Sequence, residues 1–304
     1  HMKRLMACRP DVVIVGEYGL GAWCAVAYKM LFNRKCRVYT ICDDSYDIAS
    51  SCRGARRLSR DSVIKHLDGL ILCSRKTADY YRKEHRADSY VFPIIPKADS
   101  FFKNKEQAEK IAKGYIKEYG LAGKRVFLYI GRLSAEKNIE YLIRSFIKAH
   151  DQYPENRLFI IGGCNKGDSG YDTELKGLTT VLGGDGYISF TGRKEGVGLR
   201  AWQYLGQCLV LPSKYEPFGA VVGEALLAGE YVMVSDRAGA AGLVDMSDGA
   251  AWNGCIIDTE QESISFKEIS DRTGLIGEGW EPSASRLNVT FEEYMDGLQE
   301  WICQ

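Results

Sequence analysis

No pair among the ten cysteines is spaced C-x-x-C, so neither the common zinc-ligand pattern nor a dithiol redox motif is present. Cys42, Cys73, Cys164 and Cys208 sit in or beside apolar, strand-like runs, where a thiol acts as a small hydrophobe. A disulfide-stapled secreted scaffold is thereby excluded, and a reducing, cytoplasmic setting is expected. No apolar run approaches the ~20 residues of a membrane-spanning helix. The opening His1-Met2 reads as a cloning remnant rather than a signal peptide. Net charge is missing too: 40 Lys and Arg cancel 40 Asp and Glu, which leaves no general affinity for nucleic acid. There is no D-x-D; Asp43, Asp44 and Asp47 have the wrong spacing and are expected in a loop. His66, His85 and His150 stand alone and read as structural or exposed. No internal repeat appears.

What is there fits two α/β units. The 304 residues, 45% hydrophobic, can fill one large or two ordinary cores. Charge is uneven along them. Residues 1–100 hold 18 basic against 11 acidic side chains, net +7, and residues 101–304 hold 22 against 29, net −7. Strand patterns fall at 12–15, 37–42, 70–73 and 90–92, with helical segments between them at 22–32, 61–66 and 75–83. A second series of strands follows at 126–130, 158–161, 188–191, 209–211, 231–234 and 255–257. Between its first two lies a helical stripe, Ile139–His150, apolar at 139, 142, 143, 146, 147 and 149. Strands alternating with helical crossovers make doubly wound parallel sheets. The expected units are 1–103, joined by a C-terminal helix within 285–304, and 104–284.

Two segments carry the chemistry. In FLYIGRLSAEKN, 127–138, a buried strand ends at Gly131, and Arg132 and Lys137 follow at the carboxyl edge of the sheet, where ligands of open α/β sheets bind. Two cations there can neutralise a diphosphate; in the plainer alternative they are solvated charges on a strand–turn–helix joint. In LVLPSKYEPFGAVVGEALLAG, 209–229, Gly219 is expected to open a helix, and the free N–H groups of Gly219, Ala220 and Val221 form an anion site. Glu216 precedes that helix and Glu224 is expected a turn and a half inside it. Carboxylates beside an anion site oppose phosphate alone. They suit hydroxyls on either side of a diphosphate, as in a nucleotide-sugar.

GRLSAEKN followed by EPFGAVVGEALLAG resembles the donor-site signature of glycosyltransferase family 4, retaining enzymes of the GT-B fold. The resemblance is strong over about 124–260 and weaker over 10–100. It implies two Rossmann-like domains facing a cleft. Arg132 and Lys137 would hold the donor diphosphate and stabilise the leaving nucleoside diphosphate, with Glu216 on the transferred sugar and Glu224 on the ribose. Phe218, Gly219, Ala220 and Val221 would present backbone N–H groups. FTGRK, 190–194, matches the loop where the base lies, which adds Gly192, Arg193 and Lys194. No metal and no other cofactor is implied, because the two cations do a metal's work. The donor would be a UDP- or GDP-sugar, and the acceptor a glycan or a lipid-linked molecule of polysaccharide or glycoconjugate biosynthesis. Two departures stand out. Many members have Pro where this chain has Glu230, and many place a Glu where this chain reads GAAGLV, 239–244.

The first unit fits the family less well. GEYGLGAW, 16–23, suits a Gly-rich loop after a strand, yet RPDVVIVGEY resembles a later segment in which members carry a histidine; here that position falls at Gly16 or Glu17. Only four strands fit before Asn104. The opening of the domain is therefore expected to be absent, through truncation or a short gene, leaving sheet edge and apolar surface exposed or completed by a partner chain. Arg53, Arg56, Arg57 and Arg60 would share one face of a helix. They read either as a solvated face or as a dock for an anionic membrane or a phosphate-bearing lipid acceptor, with a peripheral place at the inner face of the membrane. Trp23, Tyr80 and Tyr81 are expected in the core, with a platform for the acceptor as the alternative. The functional alternative is a nucleotide-sugar-binding module without transfer activity. An epimerase would want acid/base residues facing the sugar, and a phosphorylase a cofactor lysine; neither motif is seen.

Overall fold

The computed structural model describes residues 1–165, 170–247 and 249–304. The first part of the chain runs α1 (Met2–Cys8), β1 (Val12–Gly16), α2 (Leu20–Leu31), β2 (Arg37–Cys42), α3 (Tyr46–Ser51), α4 (Gly54–Ile64), β3 (Gly69–Leu72), α5 (Arg75–His85) and β4 (Ser89–Val91). Next come α6 (Ala98–Phe101), α7 (Lys105–Glu118), β5 (Arg125–Ile130), α8 (Ile139–His150), β6 (Asn156–Ile161), α9 (Tyr171–Val181), β7 (Ile188–Phe190) and α10 (Gly196–Leu205). The chain ends with β8 (Cys208–Leu211), α11 (Val221–Ala228), β9 (Tyr231–Ser235), β10 (Gly254–Ile257), α12 (Lys267–Arg272) and α13 (Phe291–Cys303). Among the described residues no helix is long and apolar enough to cross a membrane.

These elements form two compact units, His1–Ile94 with Glu293–Gln304, and Ile95–Glu292. The division falls nine residues before the expected 103/104 boundary, for a visible reason. Phe101 and Phe102 pack on Tyr204, and the Arg200 guanidinium lies 3.3 Å from the centre of the Phe101 ring. Residues after 284 likewise stay with the second unit. Arg286 lies over Tyr231, and its Nε donates to the Gly229 carbonyl at 2.8 Å.

The first unit's sheet is parallel, in the order β1-β2-β3-β4. Alternation along β3 sends Leu70 and Leu72 to a face covered by Ala78 and Tyr81 of α5, and Ile71 to the face that receives Leu298 of α13. Trp301 of α13 packs on Tyr39 and Tyr90 and donates to Asp88 at 3.0 Å. Gly69 lies so close to this indole that a Cβ there would overlap it. β1 is an edge strand, with Ile14 47% exposed. Helix α4 begins seven residues before the sequence expectation, because its apolar positions are too few to show a stripe ahead of Val63. Asp47 belongs to α3, capped by Ser45, and not to a loop. Trp23, expected in the core, is 38% exposed and donates to Ser59, whereas Tyr81 is fully buried.

The second unit's six parallel strands lie in the order β10-β9-β8-β5-β6-β7. Numbered from β5, that is 3-2-1-4-5-6, the doubly wound order whose reversal between strands 1 and 4 opens a ligand crevice. Here the switch point lies between β5 and β8. Every residue of β5 after Arg125 is buried, as both faces of the sheet are covered. On one face Phe127, Phe146 and Phe266 meet edge to face at 5.1–5.7 Å. On the other, Trp202 stacks with Tyr115 and packs on Phe159. Helix α8 matches its expected bounds and buries Ile139, Leu142, Ile143 and Phe146.

Candidate functional site

Strands β5 and β8 end side by side and release the two loops that carry the site. The loop after β5 makes a single turn of 3-10 helix, Ala135–Lys137, and closes through Asn138 at φ 57°. Asn138 also donates its side-chain N–H to the Pro212 carbonyl at 3.2 Å, and the Lys214 N–H bonds to the Glu136 carbonyl at 2.9 Å. So the two loops are tied before any ligand arrives. Between them, Lys137 Nζ meets Glu216 Oε2 at 2.6 Å, with both side chains about nine-tenths buried. Ser213 adds a hydroxyl at 3.4 Å to the same carboxylate oxygen.

Gly219 does not open the following helix. It takes φ 93°, in the region that favours glycine, and helix α11 starts at Val221 with Ala220 as its uncapped N-terminus. Glu224 therefore lies in the first turn rather than a turn and a half inside. A Cβ on Gly219 would also crowd Leu211 and Glu216, so glycine is needed twice over. The N–H groups of Gly219, Ala220 and Val221 have no acceptor among the described residues, which leaves a helix head with free donors three residues after Glu216. Glu216 and Phe218 are pinned from the far side: Glu216 bridges Ala238, and the Phe218 carbonyl accepts from Ala240 at 2.7 Å. Glu224 accepts a hydrogen bond from Gln203 at 2.7 Å, and Gln203 accepts one from Arg200.

A cavity of about 300 Å³ lies at the ends of β5, β6 and β7 and joins Gly131, Arg132, Arg193 and Lys194. Arg132 is largely exposed and 3.9 Å from Glu136, while Arg193 pairs with Glu195 at 2.7 Å. The Ser134 hydroxyl, more than any nearby charge, holds the Glu136 carboxyl below its usual range. Gly192, at φ 71°, does not line the cavity but accepts the Gly162 N–H at 3.1 Å and so sets the wall behind it. The structure adds residues the sequence reading missed: Gly162, Gly163, Cys164, Asn165 and Leu199. A Cβ on Gly162 would collide with the Gly131 carbonyl, so the strand-end pair Gly162-Gly163 was a signal available in the sequence. Cys164, read from the sequence as a small hydrophobe in or beside an apolar run, is half-buried and lines this cavity.

Below the site, Glu230 is fully buried with neither carboxylate oxygen hydrogen-bonded among the described residues. Desolvation, and then the charge of Glu224, push its pKa well above the usual carboxylate value.

Known proteins resemble this chain in sequence and in fold. The α-D-kanosaminyltransferase of Streptomyces kanamyceticus is 26% identical over 191 residues, 63% of this chain and 48% of that protein. The D-inositol 3-phosphate glycosyltransferase of Corynebacterium kroppenstedtii is 24% identical over 259 residues, 79% of this chain and 56% of that protein. The chain thus spans about half the length of these curated relatives. Among solved structures, Anabaena Alr3699/HepE in complex with UDP and glucose superposes with a TM-score of 0.69 at 16% identity, covering 99% of this chain and 81% of that one. The shared architecture is the GT-B fold, with its two parallel α/β sheets. The sequence model of the family described as glycosyl transferases group 1 matches residues 113–272, more than half of the chain and all of the loops just described. The chain belongs to the group 1 glycosyl transferases.

Proposed function

We propose that the protein transfers a sugar, with retention, from a nucleoside diphosphate sugar to a glycan or lipid-linked acceptor. The observation that carries this reading is the buried Lys137–Glu216 pair at the switch point, three residues before the helix head at Gly219–Val221. A buried pair of this kind offers a cation to a diphosphate and a carboxylate to sugar hydroxyls once the two part. Arg132, Arg193 and Lys194 extend the positive charge along the strand ends, so the site can balance a diphosphate without a metal ion. Glu224, already accepting from Gln203, suits the ribose hydroxyls. UDP is the favoured nucleotide, because the structurally similar Anabaena protein binds it. The setting would be the cytoplasm, at the inner face of the membrane where the acceptor is lipid-linked.

In the reaction the bond from the anomeric carbon to the diphosphate oxygen breaks as the acceptor oxygen bonds to the same face. The acceptor's proton passes to the departing phosphate. Lys137 and Arg132 act where negative charge grows on the leaving group, which favours the transition state over the ground state.

Thermal unfolding with UDP-, GDP-, ADP- and TDP-sugars, without and with Mg²⁺, tests the donor site. A ligand at 100 times its dissociation constant adds about 2.7 kcal/mol of stability. One nucleotide should stabilise the protein without metal, and product assays with that donor should show the retained anomer. No stabilisation by any of the four removes the donor assignment.

A further inference from the structure

Inside the second unit, Glu224 stands at the end of a chain of three further side chains. Arg200 and Gln203 lie three residues apart on α10 and so share a face of that helix. Arg200 donates from Nη1 to Gln203 Oε1 at 2.7 Å, and Gln203 donates from Nε2 to Glu224 Oε2 at 2.7 Å. At the far end the Arg200 guanidinium lies 3.3 Å from the centre of the Phe101 ring, and Phe101 is itself buried.

The chemistry of these groups fixes their order. A guanidinium has donors only, so the amide oxygen of Gln203 must face Arg200. The amide nitrogen must then face Glu224, whose ionised carboxylate can only accept. Gln203 has no exposed surface, so bulk water does not compete for either end of the amide. Glu224 is therefore held at Oε2 from behind, in the first turn of α11, and Oε1 is the oxygen left to a ligand.

We propose that Gln203 and Arg200 are positioning residues which, through Glu224, make the site selective for ribonucleotides over 2′-deoxyribonucleotides. The inference rests on Glu224 taking the ribose hydroxyls. An unheld glutamate turns about its side-chain bonds and finds water as readily as a ligand. One fixed at Oε2 presents an acceptor in a set place, and a site built around a substrate hydroxyl rejects the analogue that lacks it. Phe101 acts at one remove, by fixing the guanidinium that orients the amide.

The test is calorimetry on the full chain with UDP and 2′-deoxy-UDP, run beside Glu224→Gln and with thermal unfolding of each variant. The unaltered protein should bind UDP at least about tenfold tighter than 2′-deoxy-UDP. Gln203→Met should weaken UDP about tenfold and leave 2′-deoxy-UDP within about twofold, so that the preference falls to near one. Arg200→Met should lower the preference severalfold, and Arg200→Lys, which keeps a donor for the amide, should restore most of it. Equal weakening of both nucleotides is what a merely structural role would give, and it overturns the inference. So does a wild-type preference in Gln203→Met and Arg200→Met. If Gln203→Met does not fold, the two Arg200 variants decide by the same criterion. A preference lost in Glu224→Gln but kept in the Gln203 and Arg200 variants overturns this inference and leaves the ribose reading standing. A preference kept in Glu224→Gln, or no binding of either nucleotide, removes the ribose reading and this inference with it.

Discussion

In the second unit the buried cation Lys137 is neutralised by Glu216 at 2.6 Å, whereas in the first the buried cation Arg60 keeps one guanidinium nitrogen without a partner. The difference shows two ways of holding a cation out of water. A paired lysine is cheaper to bury than a lone one, because its partner's charge offsets part of the lost hydration. An arginine held by one carboxylate and one carbonyl keeps its geometry and leaves a donor to spare.

Breaking the pair should have the largest effect. Lys137→Ala is expected to cut transfer by about 10²–10³-fold or more, the usual loss for one group that stabilises developing charge. It should also lower stability by about 3–5 kcal/mol, since Glu216 is left charged and buried. Glu216→Gln should abolish transfer with a smaller loss of stability. Turnover at the wild-type rate in either variant, read in a steady-state assay, would remove the site assignment. Next comes the aromatic anchor of the first unit. Trp301→Ala should cost about 3 kcal/mol in urea unfolding, because it strips α13 from Tyr39 and Tyr90. An unchanged midpoint would mean that the sheet does not depend on that helix.

Glu230 sharpens the comparison, being a buried acid whose carboxylate has no hydrogen-bond partner among the described residues. Below the ordinary value of 4.5 the folded and unfolded chains are both protonated there, so the residue adds no pH dependence. Above 4.5 the unfolded chain ionises while the folded one keeps its proton, and stability falls by about 1.4 kcal/mol per pH unit until the folded group ionises too. Glu230→Gln should therefore raise the melting temperature at pH 8, and the gain should vanish near pH 4.5. A gain of the same size at both pH values would show that charge is not the cause. The smallest effect is expected at the ribose end: Glu224→Gln should weaken UDP binding by about 1–3 kcal/mol. Calorimetry giving wild-type affinity would place the ribose elsewhere.

Much of the second unit was legible in the chain. Strands buried on both faces are continuous apolar runs, and the stripe of Ile139–His150 announces its own contact face, so local pattern and tertiary environment agree there. The loops at 131–137 and 216–224 were legible because their chemistry is written in charged residues and glycines. The same signal failed where burial uses polar side chains. Helix α4 buries Arg60 along with Val63 and Ile64, so its amphipathic pattern reads as a run of charges. The small cavity's Gly162-Gly163 and Cys164 carry no charge and were passed over, though their strand-end position could have marked them.

The sequence by itself determined the alternation of strands and helices, the parallel α/β class and the residue types of the loops at 131–137 and 216–224. These follow from periodicity and from groups that chemistry cannot substitute. Only the tertiary structure decided which strands are neighbours, and hence that the ends of β5 and β8 bring Lys137 to Glu216 across 79 residues. It alone decided that Gly219 is a turn and not a helix start, and that Arg53, Arg56 and Arg60 gather around one cavity while Arg57 stays outside it. The physical reason is common to all of these. Backbone and side-chain contacts between distant segments compete with local preference, and in a packed sheet they prevail.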